Sequence, residues 1–152
     1  MNLNHGASVF VTDGSKALFL RNDGDAEFPD LRLVKKWEAP APADRELKSD
    51  APGHVFSSQG GATRRSAYDE GDFHEQAEAK FAEEVAHFMS KQGLKDSTKD
   101  IILVAPPRTL GVMRKHLDKA ISDRIGAEIP KDLVKHPIAA IERSLITHLA
   151  TL

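Results

Sequence analysis

The sequence predicts a single α/β domain in which an antiparallel strand meander precedes alternating helices and strands, so that helices pack on a mixed sheet. Three observations support this fold class. Short apolar runs rich in β-branched residues fill the first 37 residues, helical periodicity begins only after residue 71, and a continuous apolar run at 101–105 lies between two helical patterns. The length of 152 residues and the 40% hydrophobic content suit one domain, spanning residues 1–152, with a substantial core.

The first three strands are predicted from short runs separated by turns. Residues 8–12 and 17–20 flank Asp13-Gly14, a dipeptide that favours a hairpin because glycine adopts positive φ without steric cost. Residues 31–37 alternate roughly between apolar and polar and form the third strand of the meander. Three basic residues of this strand would oppose association through a free sheet edge: Arg32, Lys35 and Lys36.

A long flexible loop is predicted at about 39–69. Two prolines, Pro40 and Pro42, end the third strand, and the residues that follow are rich in Gly, Ser and charge without apolar periodicity. A connection of this length inside a compact domain is typically either functional or disordered.

The next element is a helix over residues 72–92. Asp72 and Glu75 have the spacing of a capping box, and Gly93 followed by Leu94 is typical of a helix C-terminus. The apolar stripe of this helix recurs every three or four residues: Phe73, Ala77, Phe81, Val85 and Phe88.

The continuous apolar run at 101–105 predicts a central strand covered on both faces, because an exposed face would show alternation. A second helix is predicted after it, closed by Gly126, and a short strand at about 127–129 follows. The stripe of that helix comprises Leu110, Met113, Leu117, Ile121 and Ile125. Pro137 suits the first turn of a last helix, whose apolar positions are Ile138, Ile141, Leu145 and Leu149.

Composition excludes several function classes. The chain has no cysteine, so disulfides, thiol nucleophiles and thiolate metal sites are absent. No apolar run approaches the ~20 residues of a membrane span, and the N-terminus lacks the basic and apolar regions of a signal peptide, which predicts a cytoplasmic protein without a membrane partner. The net charge of -2 means that any nucleic-acid surface must be local.

One candidate anion site lies in the long loop. Gly60 and Gly61 would let backbone amides approach a ligand, and Arg64 and Arg65 provide two adjacent guanidiniums for a phosphate. The stretch is neither a Walker A loop nor a dinucleotide-binding fingerprint. The alternative is a solvated loop whose arginines serve solubility.

A second candidate anion site lies at the start of the second helix. Arg108 follows the buried strand at the end where open α/β sheets place ligands, and a helix N-terminus there favours anions. Arg114 adds a further cation to the same helix. The alternative is an ordinary solvated helix face.

A metal site is not predicted. His74 and Glu78 have the i, i+4 spacing that would place both on one helix face, but no third ligand is evident in the sequence. The sequence likewise predicts no cofactor, and it leaves the oligomeric state open.

Several segments together resemble the bacterial host-attachment protein family, whose members are described as required for attachment to host cells. These are residues 9–14, 49–57, 81–82, 104–114 and 131–133. The motif positions within them are Asp13, Gly14, Asp50, Gly53, Pro106, Pro107, Gly111 and Asp132. The segment at 104–114 is the most specific, and the resemblance spans about residues 8 to 149. His54 stands where the family usually has Arg.

That family is distantly similar to the middle domain of eukaryotic and archaeal peptide-chain release factors, which carries a Gly-Gly-Gln loop before a long helix. Gly60 and Gly61 occupy the corresponding place, but Ala62 stands where the hydrolytic glutamine would be. The resemblance implies a three-layer sandwich of ribonuclease H-like type. The clustered carboxylates of a two-metal nuclease are missing from the sequence pattern.

Three functional hypotheses follow. The first is a non-enzymatic or weakly enzymatic release-factor-like module that contacts the ribosome or tRNA through the two candidate anion sites. The second is a hydrolase acting on an ester or phosphate at Gly60-Gly61, for which the local nucleophiles or bases are His54, Ser57, Ser58 and Asp69. The third is a host-interaction or scaffolding protein that presents the loop as a peptide.

Overall fold

The computed structural model describes residues 1–40, 62–95 and 100–152, with only the helical backbone described for residues 62–72. The strands are β1 (Ser8–Thr12), β2 (Lys16–Asn22), β3 (Leu31–Glu38), β4 (Ile101–Val104) and β5 (Ile125–Ile129). The helices are α1 (Ala62–Lys95), α2 (Pro107–His116), α3 (Lys119–Ser122) and α4 (Ile138–Leu149).

The five strands form one mixed sheet in the order β3-β2-β1-β4-β5. The predicted antiparallel pairing is confirmed for β1 with β2 and for β2 with β3. On its other side β1 pairs in parallel with β4, and β4 pairs in parallel with β5. The meander is therefore one flank of a mixed sheet, and β3, with its three predicted basic residues exposed, forms an edge.

Two apolar cores lie on opposite faces of this sheet because successive strand residues point to opposite sides. In β4, Ile102 belongs to the core that α4 covers, whereas Leu103 belongs to the core that α1 and α2 cover; both side chains are fully buried. This burial on both faces confirms the prediction of a covered central strand. The molecule thus has three layers, with helix on either side of the sheet.

The start of α1 corrects two predictions. The helix begins at Ala62, ten residues before the predicted start, so Asp72 and Glu75 lie within it and form no N-terminal capping box. The predicted loop at 39–69 is wrong for residues 62–69, which are helical, while residues 41–61 lie outside the described part of the chain. Ala39 still belongs to the sheet region, since its amide donates to the carbonyl of Ser15 over 2.7 Å.

Two predicted helix ends are also wrong. Helix α1 continues through Gly93 to Lys95, and Leu94 is 74% exposed rather than packed against the preceding turn. The predicted second helix breaks after His116, so Ile121 lies on the separate α3. Ile125 and Gly126 belong to β5, which begins two residues before the predicted short strand.

The last helix is confirmed. Pro137 directly precedes α4, and its fixed φ of -59° suits a helix start. Ile141, Leu145 and Leu149 are buried, and Ile138 packs against the same core. Among the helices described, none is long and apolar enough to cross a membrane.

Candidate functional site

The parallel pairing of β1 and β4 brings two predicted motifs to one edge of the sheet. Asp13 and Gly14 follow β1, while Pro106 and Pro107 follow β4, and parallel strands end on the same side. This edge, outside the carboxyl ends of the strands, is where α/β sheets place ligands. The motif segments around residues 13 and 107, far apart in sequence, are therefore neighbours in the fold.

Asp13 builds the turn after β1. Its Oδ1 accepts hydrogen bonds from the backbone amides of Ser15 and Lys16, each 2.8 Å long, and Thr12 Oγ1 donates to the Lys16 carbonyl over 2.9 Å. These bonds satisfy the polar backbone groups of the turn within the turn itself, as an Asx turn does. Asp13 thus has a positioning role here, with its carboxylate committed to the backbone.

Gly14 has a different role from the predicted one. Its φ is not positive, and Gly6 (φ 79°) is the only glycine of the described residues in that region. Instead, a Cβ at Gly14 would lie 2.6 Å from Cγ of Glu78 on α1. The absence of a side chain lets α1 pass directly over the β1–β2 turn.

Helix α2 starts at the same edge. Pro106 precedes it with φ -57° and Pro107 is its first residue, so two fixed φ angles set the direction in which Arg108 leaves the sheet. Arg108 Nη2 donates to Glu75 Oε1 of α1 over 2.6 Å. This hydrogen bond and the charge of Glu75 raise the pKa of Arg108 above its usual value.

A surface pocket of about 220 Å³ lies between α1 and α2 beside this ion pair. Its lining comprises Glu75, Glu78, Ala79, Ala82, Arg108, Thr109 and Val112. Two carboxylates oppose one guanidinium here, so the pocket carries a negative balance. An anion at Arg108, as predicted, would have to displace Glu75, and the anion role of Arg108 stays a prediction.

Arg114 also has a carboxylate partner. Its Nε donates to Glu128 Oε2 over 2.8 Å, which ties the last turn of α2 to β5. The hydrogen bond and the carboxylate charge raise the pKa of Arg114. Its predicted anion contact would likewise compete with an existing pair.

The structure separates the two predicted anion sites. Arg64 and Arg65 lie in the first turn of α1, not in a loop, and Arg65 is ten residues before Glu75, about 15 Å along the helix axis. Gly60, Gly61, Asp50 and Gly53 lie outside the described residues. Their roles stay predictions.

The remaining motif positions lie away from the ion pair of Arg108. Asp132 is exposed after β5. Gly111 is inside α2, and a Cβ there would meet nothing within 4 Å. A glycine within a helix costs about 1 kcal/mol relative to alanine, and no neighbouring group explains it.

One group of titratable side chains was missed in the sequence. Glu83 and His87 of α1 meet His116 at the end of α2, with one potential ligand atom of each within 4.8 Å of the others. The signal was available, because Glu83 and His87 have the same i, i+4 spacing as His74 and Glu78. The third member comes from a different helix, which sequence spacing does not reveal.

Comparison with known proteins adds a family. The model described as bacterial archaeo-eukaryotic release factor family 12 matches residues 7–145. The uncharacterized protein RP470 of Rickettsia prowazekii (strain Madrid E) is 38% identical over 47 residues, a stretch that covers 31% of each chain. The release-factor-like part of the predicted resemblance is confirmed, and the host-attachment part stays a prediction.

Proposed function

We propose that this chain, which belongs to bacterial archaeo-eukaryotic release factor family 12, is a translation module that binds the ribosome or tRNA without catalysis. The observation that carries the proposal is the extent of the family match, which takes in all five strands and most of α4. Work at the ribosome would place the protein in the cytoplasm.

The length of α1 supports a contact at a distance from the sheet. Its 34 residues correspond to about 51 Å of helix. Between Phe73 and Lys80 no side chain is buried, and burial begins only at Phe81. Ala62 is 13 residues before Glu75, which pairs with Arg108, and so about 20 Å from it along the helix axis. We propose that the N-terminal end of this helix acts as an arm.

The charge at the tip of this arm suits a phosphate backbone. The first turn of α1 holds Arg64 and Arg65 and no carboxylate, and the unpaired amides of a helix N-terminus add partial positive charge. An anion such as a phosphate would be attracted by both positive charges. We assign the primary contact to Gly60, Gly61, Arg64 and Arg65, and a secondary contact to Arg108 and Arg114.

Ala62 argues for binding without peptidyl-tRNA hydrolysis. The release-factor mechanism implied by the resemblance uses a glutamine after the two glycines, and a methyl group can neither orient a water molecule nor donate a hydrogen bond. The binding function needs only charge and shape.

The layered sheet supports the ribonuclease H-like type that the resemblance implies, which we retain as a proposal. Helices cover both faces of the mixed sheet, as a three-layer sandwich requires. Nuclease chemistry is not part of the proposal, since Asp13 at the end of β1 is committed to its own turn.

The test is co-sedimentation of the full chain with ribosomes, and filter binding to tRNA, across a series of potassium chloride concentrations. Binding is expected to weaken steeply with salt because phosphate contacts release counterions. The double variant R64A/R65A should weaken binding and reduce the log–log salt slope by about 1.4 to 1.8, the value for two phosphates.

The matched control is K135A/R143A, which removes two exposed cations outside both proposed contacts. It should bind like the unmodified chain. Equal binding by R64A/R65A would reject the site assignment, and absence of ribosome and tRNA binding at low salt would reject the function. Release of an aminoacyl or peptidyl group from the tRNA by the unmodified chain would favour the hydrolase hypothesis.

A further inference from the structure

The group formed by Glu83, His87 and His116 combines the ligand types that borderline divalent cations prefer. Two imidazoles and one carboxylate are the protein ligands of several zinc centres, in which a fourth position stays open. Imidazole nitrogen also suits nickel and cobalt, whereas magnesium and calcium prefer oxygen ligands alone.

Helix geometry holds two of the ligands on one surface. Glu83 and His87 are four residues apart on α1, which brings their Cβ atoms to about 5–6 Å. They lie in the part of α1 that is packed on the sheet, between the buried residues Phe81 and Met89. The backbone that carries this pair is therefore held in place by packing against the sheet.

The third ligand is fixed by a different contact. His116 is the last residue of α2, and two residues later the Asp118 amide donates to Ser90 Oγ of α1 over 3.3 Å. The His116 and His87 rings lie with centroids 6.3 Å apart at an interplanar angle of 80°. Edge-to-face rings of this kind can aim a nitrogen of each at one point between the helices.

The present distances leave room for an ion. His116 Nδ1 and Glu83 Oε1 are 3.9 Å apart, which is too long for a hydrogen bond. Ligand atoms around a tetrahedral zinc ion, each at about 2.0–2.1 Å from the metal, lie about 3.3 Å from one another. Because Glu83 and His116 are only partly buried and His87 is exposed, small side-chain rotations suffice to close the difference.

Electrostatics at the end of α2 favours a cation at this point. The carboxyl end of a helix carries partial negative charge, and Glu83 supplies a full negative charge. Arg114, in the same turn, is held by Glu128 on the side of β5. Neither imidazole makes a hydrogen bond to any other described residue, so both rings are available as ligands.

We propose that Glu83, His87 and His116 bind one divalent transition-metal ion of the zinc class, leaving one coordination position open to water or an external ligand. The ion would link α1 to the end of α2 and so fix the base of the helical arm. This site is distinct from the pocket beside Arg108 and does not depend on the proposed binding of RNA.

The test is titration of the full chain, stripped of metal by a chelator, with Zn²⁺ in competition with a chromophoric chelator. We expect one Zn²⁺ per chain in a saturable step. H87A and H116A should each weaken the affinity at least tenfold, and E83Q should weaken it while preserving the shape of the side chain. The thermal unfolding midpoint should rise with Zn²⁺ in the unmodified chain and rise less in H87A and H116A at the same Zn²⁺ concentration.

The matched control is H136A, which removes an exposed histidine far from this group in the chain. It should retain the affinity and stoichiometry of the unmodified chain. Equal weakening by H136A and H116A, or the absence of a saturable 1:1 step, would overturn the proposal. Far-UV circular dichroism without metal shows whether each variant folds; if a histidine variant does not, E83Q decides, and unchanged affinity in E83Q would count against the site.

Discussion

At the scale of single residues, close contacts explain several glycines. A Cβ at Gly93 would collide with Ile121 Cδ1, and one at Gly126 would lie 2.5 Å from Met1 Cε. Both contacts are closer than real Cβ atoms allow, so the Ile121 or Met1 side chain would have to shift if a side chain were added here. Gly14 under Glu78 is the third case, and here the contact involves Cβ as well as Cγ of the neighbour. Each glycine allows one element to pass close to another.

Replacing Gly14 by alanine should therefore destabilise the protein. G14A places a methyl group against Glu78, whose Cβ at 2.8 Å cannot rotate away, so the turn or α1 must shift. We expect a loss of about 1–3 kcal/mol in the free energy of unfolding, as for other overpacked positions. Urea denaturation measures it.

Gly111 provides the matched control, because alanine there should change the free energy of unfolding in the opposite direction. A Cβ there meets nothing within 4 Å, and alanine lowers the entropy of the unfolded chain while favouring helix. G111A should stabilise the protein by about 0.5–1 kcal/mol. Equal effects of the two substitutions would show that close contact is not what requires glycine at position 14.

The ion pair between Arg108 and Glu75 allows a test of the predicted secondary anion contact. Both side chains are well exposed, at 72% and 57%, so the pair contributes little to stability. E75Q removes the competing carboxylate and should tighten binding of tRNA, whereas R108A should weaken it. Filter binding at fixed salt measures both.

The control for this pair is E142Q, which removes one carboxylate from α4, away from Arg108. E142Q should tighten binding of tRNA only to the small extent expected from a change of one unit in net charge. If E75Q and E142Q have the same effect, Arg108 is not an anion contact and its pairing with Glu75 is only structural.

At the scale of elements, α1 has two parts with different support. Phe81, Val85 and Met89 are buried against the sheet, and Phe88 contacts the rings of Phe10, Phe19 and Trp37. Between Phe73 and Lys80 no side chain is buried. The backbone hydrogen bonds are alike along the helix, so tertiary packing distinguishes the two parts.

Hydrogen exchange should reveal this difference. Amides of residues 81–90 are expected to exchange at least tenfold more slowly than those of 73–80, because opening the unpacked part breaks few apolar contacts. Mass spectrometry of peptides from the two parts measures the rates. Uniform protection along α1 would contradict the expectation and would indicate that a second surface covers the arm.

Helix α1 also shows which parts of the fold the sequence can predict and which it cannot. The strands and the last helix were predictable because apolar spacing alone determines which of their residues face a core. The start of α1 was not, since residues 62–71 carry no apolar stripe, and Asp72 with Glu75 has a capping pattern in the middle of a helix. Gly93 and Gly126 were predicted to end helices, which is wrong. At both positions a Cβ would meet a side chain from elsewhere in the fold, and local sequence cannot distinguish this from a helix end.

For the candidate site the limit is similar. The sequence predicts Asp13, Pro106 and Arg108 at the ends of strands, and the parallel pairing of β1 with β4 brings those ends together. The partner of Arg108 could not be predicted, because Glu75 lies on α1 at a position fixed only by helix packing. His116 joins Glu83 and His87 for the same reason.

At the scale of the whole molecule, the sheet divides the interior into two cores of different character. The core under α4 is formed by aliphatic residues, whereas the core under α1 contains Phe10, Phe19 and Phe81. Trp37, the single tryptophan of the chain, packs against this aromatic core, and its ring lies 4.9 Å from that of Phe88. Its fluorescence therefore reports directly on the α1 face, while far-UV circular dichroism reports on the whole chain.

Matched substitutions on the two faces test whether the cores act as one cooperative unit. Ile121 lies in the core under α1 and Ile141 in the core under α4, and both are fully buried. I121V and I141V should each cost about 0.5–1.5 kcal/mol. Because the sheet separates them, their effects should add in the double variant to within about 0.5 kcal/mol.

Urea unfolding followed by Trp37 fluorescence and by circular dichroism should give the same midpoint for every variant. The central strands β1 and β4 supply side chains to both cores and cannot leave one core without exposing the other. A fluorescence midpoint that moves with I121V but not with I141V would instead show that the α1 layer unfolds on its own, and the helical arm would then be anchored to the sheet more weakly than its buried residues imply.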